Sequence, residues 1–347
     1  MKRQWLAIAF LALSAGAYAQ TERVIRLQNA RNLVVNTADG QSKHYFVTTE
    51  KSQMLRKKDG GFVLGGDTLQ PGSVKSMRLK SLEKFALNED SVTFTSRAVD
   101  HGLLALRYSL QVGQWNTLVV PFSLTGRQVV EAFGEGTQLV TCREVTDEAV
   151  VNFATIGLDT DETVLQGGTC YLIRPTREPD IAVGRTTSVN YGTAKVPGPV
   201  YLIPNVVMEK GSNYVPNQSM RSPNDKVRIR VSGTYRKLDG REKVNYGSTR
   251  PVYYLNENGL FAGTADSLAM PAFRNWTIET RNEDGRSFSF YIDGIHEDLT
   301  AAGIDLPTAG ATRQSASETV FDLQGRRVKG VSKPGVYVMN GRKVLVR

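Results

Sequence analysis

Gln114-Trp115-Asn116-Thr117-Leu118-Val119-Val120-Pro121-Phe122, followed after two residues by Thr125-Gly126-Arg127-Gln128-Val129-Val130-Glu131-Ala132-Phe133-Gly134, is the stretch on which the fold turns. Its first half is an alternating run that becomes wholly apolar before a proline, as in a strand with a buried face that ends sharply. The second half carries the clearest helix signal of the chain. Thr125 and Gln128 have capping-box spacing, and Gly134 stands where a helix of about two turns would stop.

Outward from this block, helix signals are few and strand signals many. Leu103-Leu-Ala-Leu-Arg-Tyr-Ser-Leu110, Leu139-Val-Thr-Cys142, Val150-Val-Asn-Phe153, Thr169-Cys-Tyr-Leu-Ile173, Val227-Arg-Ile-Arg-Val231, Val252-Tyr-Tyr-Leu255 and Phe288-Ser-Phe-Tyr-Ile292 are short β-rich runs separated by Gly, Asn, Asp and Pro. This punctuation is that of antiparallel sheets, so the chain is predicted to be all-β. Residues 92–298 are expected to form a β-sandwich-like module with one short helix. Upstream, Leu33-Val-Val, Tyr45-Phe-Val-Thr, Phe62-Val-Leu and Val74-Lys-Ser-Met-Arg-Leu79 are joined by Asp39-Gly40, Asp59-Gly60-Gly61 and Gly65-Gly66-Asp67, which predicts an antiparallel meander over residues 20–79. Residues 80–91 are polar and read as a linker.

The two ends speak about location. Residues 1–19 have the basic start, Lys2 and Arg3, the apolar run Trp5–Leu13 and the small-x-small ending Ala17-Tyr18-Ala19 of a secretory signal peptide, with cleavage expected between Ala19 and Gln20. No later stretch is apolar and long enough to span a bilayer as a helix, so no transmembrane segment is expected after signal removal. Residues 299–317, rich in Ala, Thr, Gly and Ser, read as a flexible tether to a small hairpin module over residues 318–347. Within that module Asn340-Gly341 is the strongest hairpin signal, because both residues accept the positive φ of a tight type I′ turn.

Composition narrows the function classes. The formal net charge is +9, from 43 Lys and Arg against 34 Asp and Glu. For an exported chain such a balance suits acidic glycans, lipopolysaccharide or simply a solvated basic surface. No nucleic-acid partner is expected, since basic stretches such as Arg56-Lys57-Lys58 lack interleaved aromatics. The three histidines, His44, His101 and His296, show no metal-ligand spacing in sequence and read as surface or strand-edge residues. Nucleophile-elbow, phosphate-loop and His-Glu-x-x-His patterns are absent from the sequence, so no catalytic residue, cofactor or metal site is assigned. Asp159-Thr-Asp161-Glu162 offers oxygen ligands but not the spaced set and turn glycine of a calcium loop, and reads as a solvated acidic turn. Cys142 and Cys170, the only cysteines, are a candidate disulfide in an oxidising compartment or, equally, two buried thiols. Trp115, Trp276, Tyr253 and Tyr254 are candidate glycan contacts if exposed on a sheet face, although a core role is the default for Trp115 in its alternating run.

Two resemblances add to this. Trp115-Asn-Thr-Leu-x-x-Pro-Phe122, Gly168-Thr-x-Tyr-Leu-Ile-x-Pro175, Gly233-Thr-Tyr235, Tyr253-Tyr-Leu-x-x-x-Gly259 and Pro271-Ala-Phe-Arg-x-Trp276 resemble a module of secreted and surface proteins from gut and oral anaerobic bacteria. That resemblance implies an extracellular accessory or adhesive β domain. The tail, Phe321-Asp322-x-x-Gly325-Arg326-x-Val328, then Gly335-x-Tyr337, then Gly341 and Lys343-Val344-x-Val346, resembles the C-terminal sorting domain of the Por, or type IX, secretion system. It implies the secretion machinery as a partner and an extracellular or outer-membrane surface destination. The sequence therefore leads to the expectation of a non-enzymatic exported protein of adhesive or structural kind, with extracellular glycans or a host surface as its expected targets and a glycan-binding accessory protein as the alternative.

Overall fold

The computed structural model describes residues 27–48, 55–56, 61–64, 67–190, 194–243, 252–255, 261–264, 267–296, 320–322, 327–328, 335–339 and 342–346. The chain divides into two compact units, Met1–Thr300 and Ala301–Arg347. Strands dominate both, and the helix α1 (Gly126–Phe133) is the one α-helix element of regular length among the described residues. The fold is all-β, as the run-and-turn pattern predicts.

Two sheets of the first unit form the sandwich. The six-stranded sheet has the order Ile295–His296, Ser289–Ile292, Val150–Thr155, Gln138–Val145, Tyr171–Arg174, Asn116–Leu118. The five-stranded sheet has the order Gln218–Arg221, Val227–Gly233, Asn275–Asn282, Val252–Leu255, Phe261–Thr264. Their inner faces meet where Tyr253 packs edge-on against Phe288 and Phe290, with ring centroids 5.2 and 6.1 Å apart, and where Cys142 Sγ lies 3.3 Å from Met220 Sδ. A third sheet places Val99–Arg107 between Val200–Met208 and Lys84–Asn88. Its central strand is buried along most of its length, which is why Leu103-Leu-Ala-Leu106 is a continuous apolar run instead of an alternating one.

The N-terminal strands are antiparallel but make two sheets in place of one continuous meander, because Val74–Lys80 returns to pair with Ala30–Thr37. Ser42–Thr48, Ala30–Thr37 and Val74–Lys80 make one three-stranded sheet, and Leu55–Arg56, Phe62–Leu64 and Asp67–Leu69 make another. Val35, Tyr45, Leu64 and Leu69 form their small core, while Phe46 packs against the Leu103, Val200 and Leu202 cluster of the third sheet. These N-terminal sheets and the sandwich share one unit.

The sequence expectation of a linker over residues 80–91 is corrected. Lys84–Asn88 is a strand parallel to Val99–Arg107, with Phe85, Leu87 and Glu89 buried. The alternation Phe85, Leu87 against Lys84, Ala86, Asn88 gives that strand one apolar face, and Glu89 stays inside because its carboxylate accepts from Ser109 N at 2.9 Å and Ser109 Oγ at 2.5 Å.

In the second unit Val320–Asp322, Arg327–Val328, Gly335–Met339 and Arg342–Val346 form a four-stranded antiparallel sheet. Asp322 pairs with Tyr337, Tyr337 with Val344 and Val338 with Lys343, and the terminal hairpin closes at Met339 opposite Arg342. Gly325, Arg326 and Gly341, like Ala19, Gln20 and the tether 299–317, lie outside the described residues. Among the described residues no helix is long and apolar enough to cross a membrane.

Candidate functional site

The helix predicted from Thr125 and Gln128 frames an open cleft. Thr125 Oγ1 accepts from Gln128 N at 3.3 Å, and Gln128 Oε1 accepts from Thr125 N at 2.9 Å, the reciprocal capping box. Gln128 Nε2 then donates to Pro204 O and Asn205 O at 3.2 and 3.0 Å, tying the helix start to the strand Val200–Met208. Phe133 packs on Tyr201 at 5.3 Å between ring centroids. Below the helix, Arg177 makes a fork of bonds to the buried Asp180 carboxylate, 3.0 and 3.1 Å, and donates to Ala132 O, while Asp180 also accepts from Leu202 N at 2.8 Å. That ion pair clamps the helix end to the third sheet.

The acidic turn 159–162 lies at the opposite end of the helix. Gly126 N and Arg127 N donate to Glu162 O and Thr160 O, and Asp161 pairs with the Arg127 guanidinium at 2.9 Å with both side chains largely exposed. The turn therefore caps a helix, and its carboxylates stay solvated.

The cleft itself measures about 770 Å³. Ser123, Thr125, Gln128, Thr163, Gln166 and Asn205 supply hydroxyl and amide groups, Tyr214 and Tyr235 supply aromatic surface, and His101 stands among the lining residues. Tyr214 is 74% exposed, the most exposed large aromatic side chain of the described residues. Tyr235 packs on Phe94 at 4.9 Å, and burial raises its phenol to about 12, so it presents a neutral hydroxyl. Asn205 has φ of 59°, and its Oδ1 is buried without a hydrogen-bond partner in the protein. Glu209 is the one carboxylate among the described lining residues. A polyhydroxylated ligand could exchange hydrogen bonds with such a wall and stack a ring face on an exposed tyrosine.

The structure moves the glycan contacts expected from sequence. Trp115, Trp276 and Tyr253 are 6, 5 and 6% exposed, and Tyr254 is half-buried against the Trp276 and Ile278 cluster. All four lie in or against core, because their strands each have an inward face that aromatic surface fills. Sequence reasoning missed Tyr214, which sits in a polar loop, Gly211-Ser212-Asn213-Tyr214, where a lone aromatic has no strand to bury it.

The residues that carried the first resemblance form a joint in the protein interior. Tyr108 Oη donates toward Thr117 O and Phe273 O at 2.5 and 2.9 Å, and the Arg274 guanidinium lies over its ring at 4.5 Å. Asn116 closes the preceding loop through Gln111 N, Gln111 O and Gln114 O, while Asn275 Nδ2 donates to Leu118 O and Tyr171 O. Phe273, at φ 65°, gives its carbonyl to Val119 N. The motif thus locks an edge of one sheet to the central strand of the other.

The cysteines are free thiols and both are buried, which replaces the disulfide alternative left open by the sequence. Continuing the register of Thr141 opposite Tyr171 sets Cys142 opposite Cys170, but the Cys142 sulfur is directed at Met220 Sδ. Burial pushes both thiols up to about 12.

His44 and His101, far apart in sequence, are stacked with ring centroids 3.4 Å apart and 5° between planes, and Asp100 joins them. The sequence held no spacing signal for this group, since the packing of two separate sheets and a bulge assemble it.

Fold and site together define a β-sandwich-like protein with two small N-terminal antiparallel sheets and a polar, tyrosine-bearing cleft. No family model matches the chain, and no curated protein or solved structure was found to be similar to it.

Proposed function

We propose that this chain is an exported, non-enzymatic adhesive protein of the cell surface, and that it holds a glycan in the cleft beside α1. The observation that carries the reading is the composition of the cleft wall: amide and hydroxyl side chains, the exposed Tyr214 ring, and Glu209 as its single described carboxylate. Glycoside hydrolysis commonly needs two carboxylates facing each other across the scissile bond, whereas non-covalent recognition needs polar partners and a stacking surface. No Lys or Arg is among the described lining residues, so the cleft itself suits a neutral glycan, and the basic balance of the chain acts outside it.

Export is supported by the signal-like residues 1–19 and by the sorting-like strands of residues 318–347, which would engage the secretion machinery. Fractionating producing cells, with and without residues 318–347 encoded, and reading both protein termini by mass spectrometry tests that half. A mature form starting at Gln20 that reaches the surface only with the tail encoded supports it. An intact tail whose deletion changes nothing in location contradicts it. For the cleft, binding of the purified chain to an array of acidic and neutral oligosaccharides is expected to fall at least tenfold in Tyr214→Ala, with unfolding unchanged. Equal binding by that variant rejects the cleft as the glycan site.

A further inference from the structure

We propose that His44, Asp100 and His101 form a binding site for one divalent transition-metal ion of the zinc type, which clips the N-terminal sheet to the third sheet. Each residue offers one ligand atom, and the three atoms lie within 4.8 Å of one another. Tetrahedral zinc with bonds of 2.0–2.1 Å needs its ligand atoms about 3.3 Å apart and in the plane of each imidazole, so binding requires one ring to turn out of the His44–His101 stack and Asp100 Oδ1 to draw back from 2.6 Å, rotations of partly exposed side chains. Two imidazoles and one carboxylate suit zinc and its neighbours, whereas calcium selects oxygen ligands.

The backbone is shaped for this convergence. Along a regular strand, neighbours such as Asp100 and His101 point to opposite faces. Here Val206 pairs with Gly102 and Met208 with Val99, so an extra residue is accommodated between them, and His101 takes φ of 53°. This bulge brings Asp100 Oδ1 to 2.6 Å from His101 Nδ1. Bulges re-aim side chains in this way, and an uncommon left-handed conformation at a non-glycine residue is a pointer to function. His44 comes from the other sheet, on Ser42–Thr48.

Asn32 supplies an independent sign. It is 4% exposed, its Nδ2 lies 3.1 Å from His44 Nδ1, and its Oδ1 has no hydrogen-bond partner. An amide nitrogen facing Nδ1 requires the imidazole proton on Nε2. Turning the amide over lets the orphaned Oδ1 accept from Nδ1–H and leaves the Nε2 lone pair for a metal. Asn32 is thereby the positioning residue that metal-bound histidines commonly have behind them. Lys80, exposed and close enough to act on both His44 and Asp100, opposes a cation at the site.

The test is calorimetric titration of the untagged, metal-stripped full chain with Zn²⁺, repeated with Ca²⁺. One equivalent of Zn²⁺ should bind and Ca²⁺ should give no saturable heat. His44→Ala and His101→Ala should each weaken binding by at least the roughly 10–100-fold that loss of a partner behind a ligand costs, since each removes a ligand itself. Lys80→Met, a change on the exposed face of an edge strand, should tighten binding and so reports independently of any folding defect in the histidine variants. Absence of stoichiometric Zn²⁺ binding, or undiminished binding in both histidine variants together with no effect of Lys80→Met, overturns the assignment. Glycan binding through Tyr214 is measured separately, so either result stands without the other.

Discussion

The two ends of the strand run Val99–Tyr108 are built on opposite terms. At Tyr108 the ring is fully buried, its hydroxyl has two carbonyl partners, Arg274 covers its face, and the neighbouring Glu89 carboxylate is satisfied by Ser109. At His101 the strand bulges, the backbone takes a left-handed turn, and the side chains around it leave Asn32 Oδ1 and Asn205 Oδ1 without partners. Interior polar groups that are all paired hold a fold together. Polar groups left unpaired beside an accessible cleft are where a ligand has something to gain.

The largest expected effect that sharpens this contrast is chemical. At pH 9 about half of ordinary thiols are ionised, but thiols held at about 12 are ionised at roughly one in a thousand, so alkylation of Cys142 and Cys170 in the native protein should be about three orders of magnitude slower than in the unfolded chain. The sign for stability follows: the unfolded thiols release protons first, so this contribution is fully present below pH 9 and is lost as pH rises from 9 to 12. Labelling at the unfolded rate would place the thiols outside the core.

Next in size are changes at the closed end. Phe273→Ala removes a fully buried ring and should cost about 3–5 kcal/mol in denaturant unfolding. Arg177→Met should cost a similar amount, since it leaves the buried Asp180 carboxylate without its cation. Tyr108→Phe deletes only the hydroxyl, so a loss of about 1 kcal/mol is expected. At the open end, His101→Gly in metal-free buffer should be neutral or stabilising by up to about 1 kcal/mol, because glycine accepts the left-handed backbone that histidine resists. A loss as large as that of Tyr108→Phe would make His101 a structural residue and collapse the contrast. Smallest of all, Leu79→Ser, on an edge strand with 58% of the residue exposed, should stay within about 0.5 kcal/mol.

These differences were unequally visible in the residues. The capping box at Thr125 and Gln128 and the stop at Gly134 are local signals, and the helix stands where they put it. β-rich runs likewise announced an all-β, sandwich-like fold, with Asp39-Gly40 at the turn between the first two strands. Lys84–Asn88 escaped notice because its two large apolar residues, Phe85 and Leu87, are too few to outweigh the surrounding polar ones, and its parallel partner is reached only across a connecting segment. Burial of Trp115, Trp276 and Tyr253 depends on which face of each strand meets the other sheet, a property of register between distant segments. For the same reason the meeting of His44 with Asp100 and His101 has no sequence spacing to announce it.

Hydrogen exchange of the full chain, with and without a saturating oligosaccharide found on the array, tests the assignment of the open end most directly. The account predicts slowed exchange in residues 163–168 and 205–214, which line the cleft, and unchanged exchange around Trp115 and Trp276. Protection confined to other surfaces, or none at all at saturation, would contradict it.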